Sequence, residues 1–448
     1  MKTPIADFLA SYAGRNALRL HMPGHKGRGP LGCEGWDITE IPGADSLYEA
    51  SGIILESERN ASHLFGCHTL YSAEGSSLSI RAMLWLLCQA AAEMGRRPVI
   101  LAGRNAHKAF LSGVALLDIQ VSWLYGKERL SCLPTPEEVA AAIDRTAPVA
   151  LYLTSPDYLG NLCAIGEIAK VCHERGVLLA VDNAHGAYLR FLSESMHPMD
   201  LGADICCDSA HKTLPVLTGG AYLHISHNAP EVLRREAKNA MALFGSTSPS
   251  YLILASLDLA NAVLAKAYPQ RLRETVDRVE KLRCALREAG FSLVGEEPMK
   301  LTLATKCFGY TGVELGNLLE NAGIFVEFSD PDYLVFMPSV DTETAEFDHI
   351  LQTLISIPRK KEIKIAPPPV LEGEALYSPR EVLFLPRRTC PVEEALGEIL
   401  ADARIGCPPA VPILVAGERI GREALDAFRY YGISSVSVLR PEKGTKAE

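Results

Sequence analysis

The chain has 448 residues, of which 48% are hydrophobic and 22% charged, and a formal net charge of −10. The acidic balance argues against a nucleic-acid partner or an anionic membrane surface, because binding to phosphate groups uses clustered lysine and arginine. No run of about 18 apolar residues is free of charges or breaks, so we expect no membrane span.

The cysteines and the first residues bear on the cellular compartment. Twelve cysteines occur without any Cys-x-x-Cys spacing, so neither a zinc site nor a disulfide framework is expected, and reduced core thiols are the simpler interpretation. The N-terminal residues lack an apolar segment long enough for a signal peptide. These features predict a cytoplasmic protein.

Residues 1–60 are rich in glycine and proline and predict an irregular N-terminal arm. Beyond the arm, apolar residues at turn spacing alternate with short apolar runs, a pattern that indicates helices and strands in turn. The predicted helices are residues 76–94, 107–117, 166–175 and 312–322 and one that opens at 135–138, and the predicted strands are 98–102, 119–124, 149–154 and 177–182. Such alternation predicts an α/β fold with a mainly parallel sheet covered on both faces.

The length favours two or three domains. Long helical stretches at 229–243 and 249–289, with a break at Pro269, precede a smaller α/β unit. A basic run and three prolines then form a semi-rigid linker at 359–369. We therefore divide the chain into an N-terminal arm (1–60), a large domain (61–290), a small α/β domain (291–365) and a C-terminal domain (366–448).

A lysine and an aspartate carry the strongest chemical signal. Asp182 ends the buried run Val177–Asp182, at the carboxyl end of a strand, where parallel α/β sheets bind ligands. Lys212 follows a histidine just past another apolar segment. A lysine amine can hold the aldehyde of pyridoxal phosphate (PLP) as a Schiff base, and a carboxylate can keep the pyridine nitrogen protonated. Singly, such a lysine is usually a surface residue and such an aspartate a helix N-cap, so the prediction rests on the pair.

A phosphate cradle is predicted at the start of the helix 76–94. Gly75 lets the backbone approach an anion, and the first helical N–H groups and the hydroxyls of Ser76 and Ser77 can donate to it. Ser209 supplies another candidate hydroxyl. The alternative interpretation is an ordinary helix cap.

Histidines near the predicted strand ends are candidates for contact with the cofactor. His107 opens a helix after the strand 98–102, so its imidazole can stack on the pyridine ring; the alternative is a helix-terminal histidine with no such role. His185 is a candidate for the ring or its phenolic oxygen, and His211 for the phosphate.

A metal site is not predicted. His21 and His25 have the i, i+4 spacing of helical metal ligands, but Pro23-Gly24 between them prevents a helix. A third ligand is not apparent in the sequence nearby.

The sequence resembles the ornithine/lysine/arginine decarboxylases, a family of fold-type I PLP enzymes, in a form without the N-terminal wing domain of the larger members. The resemblance covers almost the whole chain and rests on seven segments in the expected order. They are His21–Gly27, Asp37–Gly43, Gly52–Leu55, Thr154–Gly160, Val181–Gly186, Ser209–Thr213 and Ser246–Tyr251.

The resemblance implies roles for residues and for partners. It makes Lys212 the Schiff-base lysine, Asp182 the partner of the pyridine nitrogen and His107 the stacking histidine, which are the three catalytic candidates. It implies that the phosphate and ring are held by Gly75, Ser76, Ser77, His185, Ser209 and His211. It further implies a homodimer with its active site at the subunit interface, and the decarboxylation of arginine, lysine or ornithine to the amine and CO2, a reaction of polyamine biosynthesis.

Several positions depart from the family pattern. Glu74 stands where the family usually has Asn, Gly219-Gly220 where it has a polar pair, and Asn183 where it has Glu. Glu327 and Glu418 are candidates for contact with the distal cationic group of the substrate. The segment 405–418 resembles a proline-rich stretch near the substrate entrance.

Two other functions remain open from sequence alone. The same lysine–aspartate pair serves other fold-type I reactions, such as those of lyases and aminotransferases. A non-catalytic regulatory homologue that keeps the fold is the second alternative, and the departures at Glu74 and Gly219-Gly220 favour it.

Overall fold

The computed structural model describes residues 1–402, 406–407 and 411–440. The chain forms two compact units, and each is composed of several segments. The first unit contains Met1–Pro98, Ala147–Ser155 and Ala164–Glu274, and the second contains Val99–Thr146, Pro156–Cys163 and the residues from Thr275 onward. The domain boundaries predicted from the sequence stay a prediction.

Helices and strands alternate through the first half of the chain, as the sequence predicts. The helices are α1 (Pro4–Gly14), α2 (Ile53–Phe65), α3 (Gly75–Glu93), α4 (Lys108–Leu117), α5 (Pro136–Thr146), α6 (Ile165–Glu174), α7 (Ala210–Thr213), α8 (Glu231–Arg235), α9 (Ala237–Phe244), α10 (Tyr251–Leu264), α11 (Tyr268–Glu288), α12 (Gly312–Asn321), α13 (Thr344–Ser356), α14 (Pro379–Phe384) and α15 (Arg422–Tyr430). The strands are β1 (His68–Ser72), β2 (Val99–Gly103), β3 (Gln120–Leu124), β4 (Ala150–Thr154), β5 (Leu178–Asp182), β6 (Ile205–Asp208), β7 (Ala221–Ile225), β8 (Ser292–Val294), β9 (Leu301–Ala304), β10 (Phe328–Ser329), β11 (Tyr333–Phe336), β12 (Arg387–Pro391), β13 (Gly406–Cys407), β14 (Val411–Pro412) and β15 (Ser435–Leu439).

A sheet of short apolar strands forms the centre of the first unit. Strand β5 pairs in parallel with β4 and with β6, and β7 pairs antiparallel with β6 and β1. Every residue of β5 is buried, which is expected for a strand covered on both faces. The α/β fold with a mostly parallel central sheet, predicted from the sequence, is confirmed.

The first helix corrects the expectation that residues 1–60 are irregular. Residues Pro4–Gly14 form α1, although no side chain of its own segment caps its start. The cap comes from Asp258 in α10, whose Oδ2 accepts the backbone N–H groups of Ile5 at 2.9 Å and Ala6 at 3.0 Å. Because this cap depends on tertiary contact, the local sequence gives no signal for it.

The second unit contains the parallel pair β2 and β3 and two further layers. Strands β8 to β11 form an antiparallel sheet in the order β10-β11-β9-β8. Helix α12 begins with a capping box between Thr311 and Glu314, which is the helix start that the sequence predicts. Near the C-terminus β12 pairs with β15, and Leu400, Phe428 and Val438 are fully buried there.

The predicted break at Pro269 is confirmed. Helix α10 ends at Leu264 and α11 begins at Tyr268, which places the proline in the first turn, where it costs no hydrogen bond. Among the described residues, no single helix has the length and apolar composition to cross a membrane, and α10 and α11 meet those criteria only together, across an 82° bend.

A buried carboxyl in the second unit generates a prediction about pH. Glu297 is 2% exposed, and burial raises its pKa from 4.5 to about 7 although Lys300 opposes the shift. The folded chain therefore binds this proton more tightly than the unfolded chain does, so stability falls as pH rises from 4.5 to about 7. We expect Glu297→Gln to increase the free energy of unfolding at about pH 8 by at most about 3 kcal/mol, which would appear as a higher midpoint of thermal unfolding. At about pH 4 the midpoint should change little.

The neighbouring Glu296 provides the matched control, because it is exposed and adjacent. Glu296→Gln should leave the midpoint unchanged at both pH values. An effect of Glu297→Gln that is the same at both pH values would contradict the prediction.

Candidate active site

Lys212 lies on the single-turn helix α7, directly beyond the end of β6. Its Nζ donates to Nε2 of His185 over 2.8 Å, and its backbone N–H donates to the carbonyl of Ser209 over 3.0 Å. The lysine side chain is partly exposed, whereas His185 is buried. The structure thus joins two of the residues singled out from the sequence, an amine and an imidazole that can exchange a proton.

Asp182 is the last residue of β5 and is 2% exposed. Its Oδ2 accepts from the hydroxyl of Tyr152 over 3.1 Å, and its Oδ1 accepts from the N–H of Ala184 over 3.2 Å and from the thiol of Cys207 over 3.6 Å. Burial, and then the charge of Asp182, raises the pKa of Tyr152 well above its ordinary value, so this hydroxyl stays a donor. The carboxylate is therefore held in place by several donors.

The predicted phosphate cradle forms at the start of α3. The hydroxyl of Ser209 donates to that of Ser76 over 2.7 Å, and Ser77 is partly exposed in the same first turn. Gly75 has a φ of +70°, and its N–H donates to the carbonyl of Gly219 over 2.7 Å. Two hydroxyls and the N-terminal end of a 19-residue helix thus lie together, an arrangement that suits an anion.

The glycine pair after the lysine closes this cradle through its backbone. The carbonyl of Gly220 accepts both the backbone N–H of His211, over 3.1 Å, and its Nδ1, over 2.9 Å. A Cβ at Gly219 would lie 3.0 Å from Ile253 Cδ1 and 3.1 Å from the carbonyl oxygen of Ala73. Close packing is therefore the physical reason for glycine at 219.

Glu74, the other departure beside the cradle, is engaged by a backbone group. Its Oε1 accepts the N–H of Ser246 over 2.6 Å, and its side chain is exposed. Burial, and then the charge of Glu74, raises the pKa of Tyr48 to about 12. The carboxylate therefore has a local structural partner, and this hydrogen bond joins the cradle to the segment Ser246–Tyr251.

His107, the predicted stacking residue, belongs to the second unit and caps α4. Its Nδ1 accepts the N–H of Ala109 over 3.1 Å. In the neutral imidazole the proton is therefore on Nε2, which is a donor. Its predicted stacking role stays a prediction.

The two acidic candidates for the distal cation have partners within the second unit. Glu418 is 3% exposed and pairs with Arg104, whose Nη2 lies 3.2 Å from Oε2. Burial raises the pKa of Glu418, and Arg104 opposes the shift. Glu327 is exposed and accepts from the hydroxyl of Tyr158 over 3.1 Å. The segment 405–418 lies partly outside the described residues.

Sequence reasoning missed a buried group at the end of β6. Asp208 has no exposed surface, and its Oδ2 accepts from Nε2 of His197 over 3.0 Å and from Nε2 of His224 over 3.1 Å. A carboxylate directly before Ser209 was the available signal, since β6 ends in an aspartate as β5 does. The histidines are far from it in sequence, and only the fold brings them together.

The chain is similar to known proteins over most of its length. Residues 3–295 match the family described as Orn/Lys/Arg decarboxylase, major domain. The chain is 30% identical to the uncharacterized protein YaaO of Bacillus subtilis, covering 95% of this chain and 93% of that protein. It is 28% identical to the arginine decarboxylase of Bacillus anthracis, covering 99% of this chain and 96% of that protein. Its fold matches the lysine decarboxylase A of Pseudomonas aeruginosa with a TM-score of 0.81 at 17% identity, covering 98% and 80% of the two chains.

The glycine at 219 generates a prediction about the cradle. Gly219→Ala should destabilise the protein by more than the left-handed backbone strain of about 1–2 kcal/mol, because the added Cβ also meets the Ala73 carbonyl. Gly95→Ala is the matched control: Gly95 has a φ of +64° and nothing within 4 Å of an added Cβ. Equal losses for the two variants in thermal unfolding would contradict the close packing of Gly219.

Proposed function

The chain belongs to the Orn/Lys/Arg decarboxylase family, and on this premise we propose that it removes CO2 from a basic amino acid, with PLP as cofactor, to give the corresponding amine. It is thus a PLP-dependent carboxy-lyase of the fold-type I class. The observation that carries the proposal is the Lys212–His185 contact of 2.8 Å in the same unit as the buried Asp182.

The residues present suit PLP in their donor chemistry. Its phosphate would be held by Ser76, Ser209 and the first N–H groups of α3, and its ring nitrogen by the Asp182 carboxylate. The Gly75 N–H is already used by the Gly219 carbonyl, so this glycine would shape the cradle rather than donate to the anion. Once the substrate amine has replaced the lysine on it, PLP would supply an electron sink for the electron pair of the Cα–carboxylate bond.

Lys212 and His185 can share the proton that controls the amine. A lysine amine must be uncharged to attack a carbonyl, and an ordinary lysine is protonated at neutral pH. The His185 Nε2, 2.8 Å away, accepts a hydrogen bond from Nζ and can take this proton. After CO2 is lost, the Lys212 amine would return a proton to the substrate carbon.

Asp182 would keep a proton on the ring nitrogen. Its Oδ2 is oriented by the Tyr152 hydroxyl, and its Oδ1 by the Ala184 N–H. A buried carboxylate fixed by donors pairs strongly with a cationic partner, because the low-dielectric surroundings screen the pair less than water does.

Arginine is the substrate that we propose first. The arginine decarboxylase of Bacillus anthracis is similar over nearly the full length of this chain, whereas the lysine decarboxylase neighbour supports the fold alone. Since Glu418 is neutralised by Arg104, we propose that the distal cationic group of the substrate is bound by other acidic groups.

We also propose that two copies of the chain associate. The N-terminal arm exposes Leu18 by 85%, Leu20 by 83% and Leu31 by 80% of their surface, which is costly in an isolated chain. We propose that the homodimer covers this arm, that it acts in the cytoplasm, and that its amine product is used in polyamine synthesis.

Replacement of these three leucines by serine should shift the mass measured by light scattering from two chains toward one. A wild-type chain that is monomeric at all concentrations would contradict the association.

The decarboxylase proposal predicts specific products. Purified protein with PLP, incubated with arginine, lysine and ornithine together, should release CO2 and one main amine, with agmatine expected. Lys212→Ala should lower this activity by several orders of magnitude, because the amine that binds the cofactor and moves the proton is lost. Mass spectrometry of the amines is the measurement.

Lys170→Ala provides the control, since Lys170 is an exposed helix lysine of the same unit. It should retain wild-type activity. Loaded wild-type protein that forms none of the three amines would contradict the proposal.

A further inference from the structure

The carboxylate of Asp208 collects four donors in the interior of the first unit. His197 and His224 donate to Oδ2, as described above, while Oδ1 accepts from Nδ2 of Asn183 over 2.7 Å and from the thiol of Cys206 over 3.6 Å. Asp208, His197, His224 and Asn183 are each 0% exposed. We name these four residues the Asp208 cluster.

Hydrogen bonding accounts for the cluster better than a metal ion does. Two imidazoles and a carboxylate within 4.8 Å of one another could in principle ligate a metal. However, Nδ1 of His197 accepts the backbone N–H of Met199 over 3.3 Å, so the proton of the neutral ring lies on Nε2, which points at Asp208. Metal binding through Nε2 would require that proton on Nδ1, where it would face the N–H of Met199.

The electrostatics of the cluster hold Asp208 as an anion. Burial opposes ionisation, but His197 and His224 outweigh it and hold the pKa of Asp208 far below its ordinary value. Burial also lowers the pKa of His224, although Asp208 opposes the shift. A buried carboxylate with four donors is a fixed point, since displacement would leave a charge or several N–H groups unsatisfied.

Asn183 connects this fixed point to Asp182. Its side chain donates to Asp208, and its backbone N–H donates to the carbonyl of Cys207 over 2.9 Å. A glutamate at 183, which the family pattern favours, would put a second carboxylate beside Asp208. The amide at 183 and the carboxylate at 208 therefore form a matched donor–acceptor pair.

Asp208 is also connected to Lys212, through Ser209. Asp208 directly precedes Ser209, whose hydroxyl reaches Ser76 and whose carbonyl accepts the N–H of Lys212. The cluster is thus linked through the chain both to Asp182, which would hold the ring nitrogen, and to Lys212, which would hold the aldehyde.

We propose that Asp208, fixed by His197 and His224, is a positioning residue that acts through Asn183 to set the separation of the Asp182 carboxylate from the Lys212 amine. This inference rests on the proposed function. It assigns no contact with substrate or cofactor to the cluster itself.

The test compares cofactor binding with folding stability. The variants are Asn183→Asp, Asn183→Ala, Asp208→Asn and the exchange of both residues, Asn183→Asp with Asp208→Asn. The measured quantities are the Kd for PLP, the pH titration of the visible absorbance of lysine-bound PLP, and the thermal unfolding midpoint without cofactor.

Asn183→Ala and Asn183→Asp should weaken PLP binding at least about tenfold, because Asp182 no longer aligns with the ring nitrogen. For the same reason, the pKa read from the pH titration of the visible absorbance should rise by roughly one unit. In the variant with both residues exchanged, an amide and a carboxylate are again in contact. Its Kd for PLP, and the acid dissociation constant read from the visible titration, should therefore return to within about twofold of the wild-type values. Asn183→Ala keeps Asp208 with both histidines and so remains informative if Asp208→Asn fails to fold.

Asn261→Ala is the matched control. Asn261 is equally buried in the same unit and donates to the Tyr71 hydroxyl over 2.7 Å, outside the Asp208 cluster. It should lower the unfolding midpoint but leave PLP binding and the visible titration unchanged. A purely structural role for Asn183 would make its variants behave in the same way, which would overturn the inference.

Four further results are decisive. Exchanged protein that folds but keeps the defects of the single variants would overturn the inference, as would a stoichiometric metal ion that Asp208→Asn abolishes. Wild-type protein without the visible absorbance would overturn the proposed function and this inference with it, whereas wild-type absorbance with unaffected variants would overturn the inference alone.

Discussion

The parallel register between β5 and β6 is the constraint on which the site depends. Asp182 pairs with Cys207 at the ends of these strands, so the residues that follow each strand emerge side by side. One exit carries Asn183 and His185, and the other carries Ser209 and Lys212. Because a shift of one residue would turn each side chain to the opposite face of the sheet, the contact between Lys212 and His185 requires this register.

The same sheet edge holds two buried carboxylates that differ in their donors. Asp182 is bound by a tyrosine hydroxyl, a backbone N–H and a thiol. Asp208 is bound by two imidazoles and an amide with no exposed surface. The first is suited to pair with a cation that arrives with the cofactor, and the second can serve only the protein itself. The donors thus distinguish the carboxylate with a proposed chemical role from the one with a structural role.

Local signals in the sequence were sufficient for much of this architecture. The predicted strand 177–182 is observed as Leu178–Asp182 and the predicted helix 312–322 as Gly312–Asn321, because apolar runs, capping residues and a terminal glycine mark them. The helix α1 was missed since its cap is supplied by Asp258 from a distant helix. The Asp208 cluster was missed for the same reason: no spacing in the sequence links His197 and His224 to the end of β6. The partners of Glu418 likewise arise from tertiary contact.

The measurement that tests the account most directly is the location of the cofactor on the chain. Protein saturated with PLP would be reduced with borohydride, digested, and its peptides analysed by mass spectrometry. The account predicts the phosphopyridoxyl group on Lys212 at close to one per chain, and its loss in Lys212→Ala. Modification spread over surface lysines, with Lys212 unlabelled, would contradict the assignment of Lys212 and Asp182 as one catalytic pair.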